Sequence, residues 1–208
     1  EQNVVVPLTE RPLAVRLDPD LHLFRRVART ALSPMLNLYV TDAQRTLLVP
    51  RDVTEHPSPF NDIVQRIAGQ EAAKPAISRT TMRRPGGSPT SLPAGSLLVL
   101  GGPDENPAAT DMLRYCGDHL HMIANGFAVD GKTYEGATKA LLISCRRDDQ
   151  PGSVATMLYG VTPQALGRVA RLLFFYGWQS YVVFHDGAVV ARGDWEDRMS
   201  AEVQLQTR

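Results

Sequence analysis

From Ser153 to Trp195 the pattern of apolar and polar positions switches from strand to helix and back, and the rest of the chain is organised around that stretch. Ser153–Tyr159 reads as a strand, Gly160–Thr162 as a loop and Pro163–Tyr176 as a helix. Ser180–Phe184 and Ala188–Arg192 read as two further strands, joined by a turn at His185–Gly187. Thr162 suits the helix N-cap and Pro163 the first helical position, where a missing N–H loses nothing. Gly177 follows the last expected helical residue, and Asp186-Gly187 is a favoured hairpin turn. The simplest assembly is a right-handed strand–helix–strand crossover onto a sheet.

Upstream, Val4–Pro7 and Leu13–Leu17 are short β-type runs, followed by an arm anchored by Leu21, Leu23 and Phe24. Ala31–Leu38 suits a short helix interrupted near Ser33-Pro34, and Thr46–Val49 a buried strand. Phe60, Ile63, Val64 and Ile67 recur at helical spacing within Pro59–Gln70, with Ser58 as a cap, and Ala76–Met82 reads as a weaker strand. Arg83–Gly95 is rich in Pro, Gly and Ser, hence a loop. Ser96–Leu100 is the central-strand candidate, leading through Gly101-Gly102-Pro103 into a helix at Asn106–Tyr115. His119–Ile123 and Phe127–Val129 form an expected hairpin through Asn125-Gly126, with Asp130-Gly131 turning toward Lys132–Tyr134. Lys139–Cys145 is a further strand.

This alternation predicts an α/β fold, a Rossmann-like three-layer sandwich on a mixed, mostly parallel sheet with a short N-terminal β segment. The expected division is 1–27 as β segment and linker arm, 28–195 as the α/β domain, and 196–208 as a loosely docked polar tail.

Composition narrows the function. Among 208 residues, 22 basic and 22 acidic side chains leave no global field to attract nucleic acid. Arg83-Arg84 and Arg146-Arg147 read as solvated surface pairs. No apolar run is long enough to span a membrane, and no leader pattern opens the chain, so the start at Glu1 reads as a boundary or a processed end. The two cysteines, Cys116 and Cys145, are expected as half-buried thiols in preference to a disulfide. No paired CxxC supports structural zinc, and no cofactor is implied.

Four clusters carry candidate chemistry. Gly101, Gly102, Asp104 and Asn106 lie between a strand and a helix, where doubly wound folds bind ligands. The absence of GxGxxG and of a P-loop lysine, with two acidic residues present, argues against phosphate and for a helix cap. His119 and His121 have strand spacing and would share a face, giving a weak metal candidate without a third ligand; two surface histidines is the simpler reading. Cys145 and His185, both at strand ends, would make a nucleophile–base pair if their strands were neighbours, although no nucleophile elbow accompanies them. The run Leu172–Tyr181 is the richest aromatic cluster, with Phe174, Tyr176, Trp178 and Tyr181 as a candidate interaction surface and core filling as the alternative. No catalytic residue is assigned.

The segment Phe175-Tyr176-Gly177-Trp178-Gln179-Ser180-Tyr181-Val182-Val183-Phe184, entered from a helix and followed by an Asp-Gly hairpin, resembles the C-terminal α/β region of bacterial aminopeptidase-N-like zinc metallopeptidases. Pro12–Arg26, containing Leu13-Ala14-Val15-Arg16-Leu17-Asp18-Pro19-Asp20 and Leu23-Phe24-Arg25-Arg26, is similar to the edge of the β-sandwich preceding that region. These motifs bracket Val4 to Trp195, with the middle matched by pattern only. That family's zinc unit carries His-Glu-x-x-His, and none of His22, His56, His119, His121 or His185 stands in that pattern, so no catalytic residue carries over. The resemblance implies a non-catalytic accessory domain of the cell envelope, periplasmic or secreted, that docks to a peptidase domain or partner subunit, with a homo-oligomer as another arrangement. A small-ligand binder or hydrolase using Gly101–Asn106 with Cys145 or His185 is the alternative.

Overall fold

The computed structural model describes residues 5, 7–12, 14–15, 27–50, 60–61, 63–65, 76–80, 92–195 and 203–204. The strands are β1 (Ala14–Val15), β2 (Arg45–Pro50), β3 (Ala76–Thr80), β4 (Ser96–Leu100), β5 (Leu120–Ile123), β6 (Gly126–Val129), β7 (Lys132–Glu135), β8 (Lys139–Arg146), β9 (Val154–Gly160), β10 (Tyr181–His185), β11 (Ala188–Gly193) and β12 (Val203–Gln204). The helices are α1 (Leu36–Val40), α2 (Pro107–Cys116) and α3 (Pro163–Ala170), and residues 60–61 and 63–65 are also helical.

The main sheet has seven strands in the order β11-β10-β8-β9-β4-β2-β3. It is mixed, but not mostly parallel. The β3–β2–β4–β9 half pairs in parallel, whereas β9–β8–β10–β11 pairs antiparallel. The switch arises because only residues 147–153 join β8 to β9, too short a connection for the crossover that parallel strands need. The crossover expected from Ser153 onward is present with one addition. β9 and β10 run in the same direction with α3 between them, but β8 lies between the two strands and antiparallel to both.

Strand alternation divides the core between the two faces of the sheet. Leu98 and Leu100 of β4 join Leu142 and Phe184 under α1, α3 and Phe60. Leu97 and Val99 turn the other way, with Met157, Ile143 and Val183, to meet α2 and a separate three-stranded sheet of β5, β6 and β7. Helical periodicity supplies the matching stripes: Ala165, Leu166 and Val169 from α3 on the first face, Ala108, Ala109 and Met112 from α2 on the second. Thr162 caps α3 by accepting from the Ala165 amide at 3.2 Å, and Asn106 caps α2 by accepting from Ala108 at 3.1 Å.

Several expectations change. The helix expected through Tyr176 ends at Ala170, and residues 171–178 form successive turns. Gly177 serves close approach instead of a left-handed cap, since a Cβ there would lie 2.4 Å from Asn37 Oδ1. The polar tail supplies β12, which pairs antiparallel with β1 and so joins the two ends of the chain. Arg147 is not a solvated cation. Its side chain is 1% exposed, donates to the carbonyls of Pro93 (2.5 Å) and Gly95 (2.7 Å), and pairs with Asp149 at 2.8 Å. That hydrogen bond, against the opposing effect of burial, holds the Asp149 carboxyl below the usual range. Arg146 donates to the carbonyls of Thr30 and Leu32. Arg83-Arg84 and the cap at Ser58 lie outside the described residues.

Cys116 and Cys145 form a disulfide, with Cα atoms 5.2 Å apart and both residues buried. The expectation of two thiols fails because α2 ends directly over the end of β8, a juxtaposition made by packing across a separation of 29 residues.

The N-terminal ends of β2, β4 and β9 are tied by Asp42. Its carboxylate accepts from Ser96 Oγ (2.6 Å), Ser96 N (3.1 Å), Ser153 Oγ (3.2 Å) and Gln44 N (3.0 Å), with Arg29 at 3.8 Å. Burial pushes its pKa up, but the hydrogen bonds led by Ser96 and the Arg29 charge outweigh that and leave it below the ordinary value. A folded-state pKa below the unfolded one stabilises the fold above about pH 4 and loses that contribution as pH falls through the folded value. Asp42→Asn should therefore destabilise the protein at pH 7 by about 1–3 kcal/mol and flatten its acid limb. Urea titrations at pH 7 and pH 3 check this, and equal losses at both would count against it.

Candidate functional site

The opposite edge of the sheet is open. β4 and β9 are parallel neighbours, with Leu100 opposite Leu158, and their chains leave toward different faces, β4 into α2 and β9 into α3. Parallel strands whose connections diverge leave a crevice beyond their carboxyl ends, the usual ligand position in open α/β sheets. Here the crevice has a volume of about 420 Å³ between Gly102–Glu105, Tyr159–Val161 and the end of β5 with the start of its turn, Met122–Ala124.

The Gly101–Asn106 turn is bonded largely to itself. Gly101 N donates to Leu158 O at 3.0 Å, while the Glu105 and Asn106 amides both donate to Gly102 O. Gly102 N donates to Glu105 Oε2 at 3.1 Å. A Cβ at Gly102 would lie 2.6 Å from the Tyr159 ring, so a glycine lets that ring lie against the turn. Burial raises the Glu105 pKa, the Gly102 hydrogen bond partly opposes this, and the nearby Asp104 charge adds to it. Burial also raises the Tyr159 phenol, followed by the charges of Glu105 and Asp104. The crevice therefore carries negative potential on one wall.

The four residues expected here separate by role. Asp104 is exposed at the lip, and Gly101 and Gly102 form the buried turn. Asn106 is buried away from the opening. Its Nδ2 donates to Leu48 O (3.1 Å) and Leu100 O (2.8 Å), clipping the ends of β2 and β4 to α2, so it serves as a cap and brace and not as a ligand contact. Glu105 and Tyr159 were not singled out from sequence. Glu105 is one of the two acidic residues of Gly101–Asn106, but the placement of Tyr159 depends on which strand lies beside β4.

The other clusters do not assemble as expected. Cys145 is locked in the disulfide, and His185 lies opposite Lys139, six positions away along β8 and about 20 Å distant at 3.3–3.4 Å per residue. The strands are neighbours, but their antiparallel pairing puts the two side chains at opposite ends, which removes the nucleophile–base pair. His185 Nδ1 instead meets Lys139 Nζ at 2.5 Å. His119 belongs to a 3-10 turn, Gly117–His119, and only His121 is on β5. The His119 ring bonds Asp130 Oδ1 at 2.6 Å and stacks on Trp195 at 4.2 Å. Among the described residues no three His, Cys, Asp or Glu side chains gather to hold a metal.

The aromatic run is divided between the faces of the sheet. Tyr176 packs edge-on against Phe184 on one side, whereas Tyr181 stacks on Trp195 on the other. Phe174 is half-buried, so the four expected residues do not share one surface. Phe175 and Trp178 are the exposed members, at 77% and 69%.

No protein-family model matches this chain, and no curated protein matches it in sequence. The geometry of the described residues offers a ligand-sized acidic crevice and two projecting aromatic rings. No helix among the described residues is long and apolar enough to cross a membrane.

Proposed function

We propose that this chain is a non-catalytic accessory domain that docks to a protein partner through Phe175 and Trp178. The observation that carries the reading is the exposure of both rings on a braced segment. Gly177 O accepts from Asn37 N at 3.0 Å and Tyr176 is held by Phe184, so residues 175 and 178 project from a turn tied to α1 and β10. Large rings presented from a pre-ordered backbone lose little conformational entropy on binding and are typical energetic anchors. In line with the resemblance, the partner is a peptidase domain of the aminopeptidase-N-like kind or a sister subunit, and the compartment is the cell envelope. Support for that compartment comes from the buried disulfide, since disulfides persist in oxidising surroundings. The mixed sheet with α1 and α3 on one face and α2 on the other is read as a Rossmann-like three-layer sandwich.

Trp178→Ala and Phe175→Ala should each weaken binding to an aminopeptidase-N-like catalytic domain from the same organism by tenfold or more in calorimetry, with the thermal midpoint unchanged. Unaltered affinity in both variants would sink the docking role.

The crevice between β4 and β9 favours a second reading, a small-ligand binding domain. Its volume lies within the range of small-molecule sites, and it occupies the position where open α/β sheets bind ligands.

A further inference from the structure

We propose that the crevice at the carboxyl ends of β4 and β9 binds a small ligand carrying a primary ammonium group on an aliphatic chain, an inference that rests on the second reading above. Three observations select this class. First, Asp104 and Glu105 lie along one wall, and no basic side chain lies in the segments that line the crevice. Asp104, Glu105 and Tyr159 line one volume, so both charges act on a single occupant. A cation gains from that field, and an anion is repelled.

Second, an anion would need free backbone donors, and four amides of the turn are already committed. Gly101 N, Gly102 N, Glu105 N and Asn106 N all donate within the protein, the second of them to the Glu105 carboxylate itself. The Glu105 carboxylate fills the acceptor position at Gly102 N, and Asn106 fills the one at the first amide of α2.

Third, apolar side chains interrupt the polar lining. Pro103, Met122, Ile123 and Val161 face the same volume, which suits a short hydrocarbon chain behind the charged head. A primary ammonium offers three N–H donors on a compact charge, matching the acceptors of Asp104, Glu105 and Tyr159. The Tyr159 ring lies against Gly102, and both line the crevice.

The test is a ¹H–¹⁵N NMR titration of the whole chain at pH 7 with n-pentylamine, sodium pentanoate and n-pentanol at matched ionic strength. The amine should produce saturable shifts at the amides of Gly102, Gly160 and Val161. Pentanol should bind at least tenfold more weakly, and pentanoate should leave those amides unmoved. The double variant Asp104→Asn with Glu105→Gln should weaken the amine at least tenfold and leave pentanol unchanged. Glutamine retains an oxygen to accept from Gly102 N, and Asp104→Asn alone, at the exposed lip, provides a second variant that preserves the fold. Shifts at those amides from pentanoate or pentanol as strong as those from the amine would leave the crevice a ligand site but overturn the ammonium assignment. Undiminished amine binding in the double variant would overturn it as well. No response of these amides to any of the three compounds would remove both the assignment and the small-ligand reading.

Discussion

Replacing Cys116 and Cys145 together by alanine should lower the unfolding free energy by about 3–4 kcal/mol, the loop-closure value for a cross-link spanning some 30 residues. Against a typical domain stability of about 5–15 kcal/mol this is a large fraction. The bond joins the end of α2 to the end of β8, so its loss frees the second core at the point where helix and sheet meet. Both cysteines are buried, at 1% and 2% exposure, and a mild reductant should therefore act only as fast as the protein opens. Guanidinium unfolding of wild type with and without reductant, compared with the double variant, checks both statements. The denaturant slope should rise in the variant, because a chain without the cross-link exposes more surface on unfolding. Identical midpoints and slopes in all three conditions would mean that the bond contributes nothing.

Trp195→Ala should cost about 3–5 kcal/mol, as for other buried large-to-small changes. Trp195 lies between two rings, His119 at 4.2 Å and Tyr181 at 5.0 Å. Its Nε1 donates to Ser144 O at 2.7 Å, its backbone N donates to Ser180 Oγ at 3.1 Å, and its carbonyl accepts from Ser33 Oγ at 3.2 Å. Truncation removes the stacking and opens a void beneath the small sheet. Trp195→Phe, which keeps an apolar ring but not the donor, should fall between, at about 1–2 kcal/mol. Thermal or urea denaturation distinguishes the three proteins. A loss under about 1 kcal/mol for the alanine variant would show that the indole is peripheral, in conflict with its burial.

Much of the local architecture was legible because short-range chemistry decides it. Thr162 and Pro163 begin α3 as expected. Asp186-Gly187 and Asp130-Gly131 make the tight turns, with positive φ at all four residues. The apolar run Ser96–Leu100 is a fully buried central strand. The position of the crevice was also foreshadowed, since a glycine turn between a strand and a helix is a known ligand location.

What escaped depends on neighbours distant in the chain. Nothing near Tyr159 reveals that β9 lies beside β4, yet that pairing brings its ring against Gly102. The same holds for Cys116 and Cys145, and for His185, whose distance from Cys145 follows from the antiparallel register of β8 and β10. Arg147 looked like a surface cation because its partners are mostly carbonyls, of Pro93 and Gly95, and carbonyls have no signature in side-chain patterns. Tyr176 and Tyr181 looked like one aromatic cluster, but the four turn and bend residues between them carry them to opposite faces.

By itself the amino-acid order determined where α2, α3 and most strands begin, to within a residue or so, which side of each is apolar, and that the charges balance, because these properties follow from local propensity and periodicity. The first helix, expected from Ala31, begins at Leu36. Only the tertiary structure decided that the sheet changes from parallel to antiparallel at β9, that a disulfide closes α2 onto β8, and that the acidic turn faces a crevice while Phe175 and Trp178 face solvent. The physical reason is that strand partners and opposing faces are selected by burial of the whole apolar surface at once, a quantity that no short window of sequence contains.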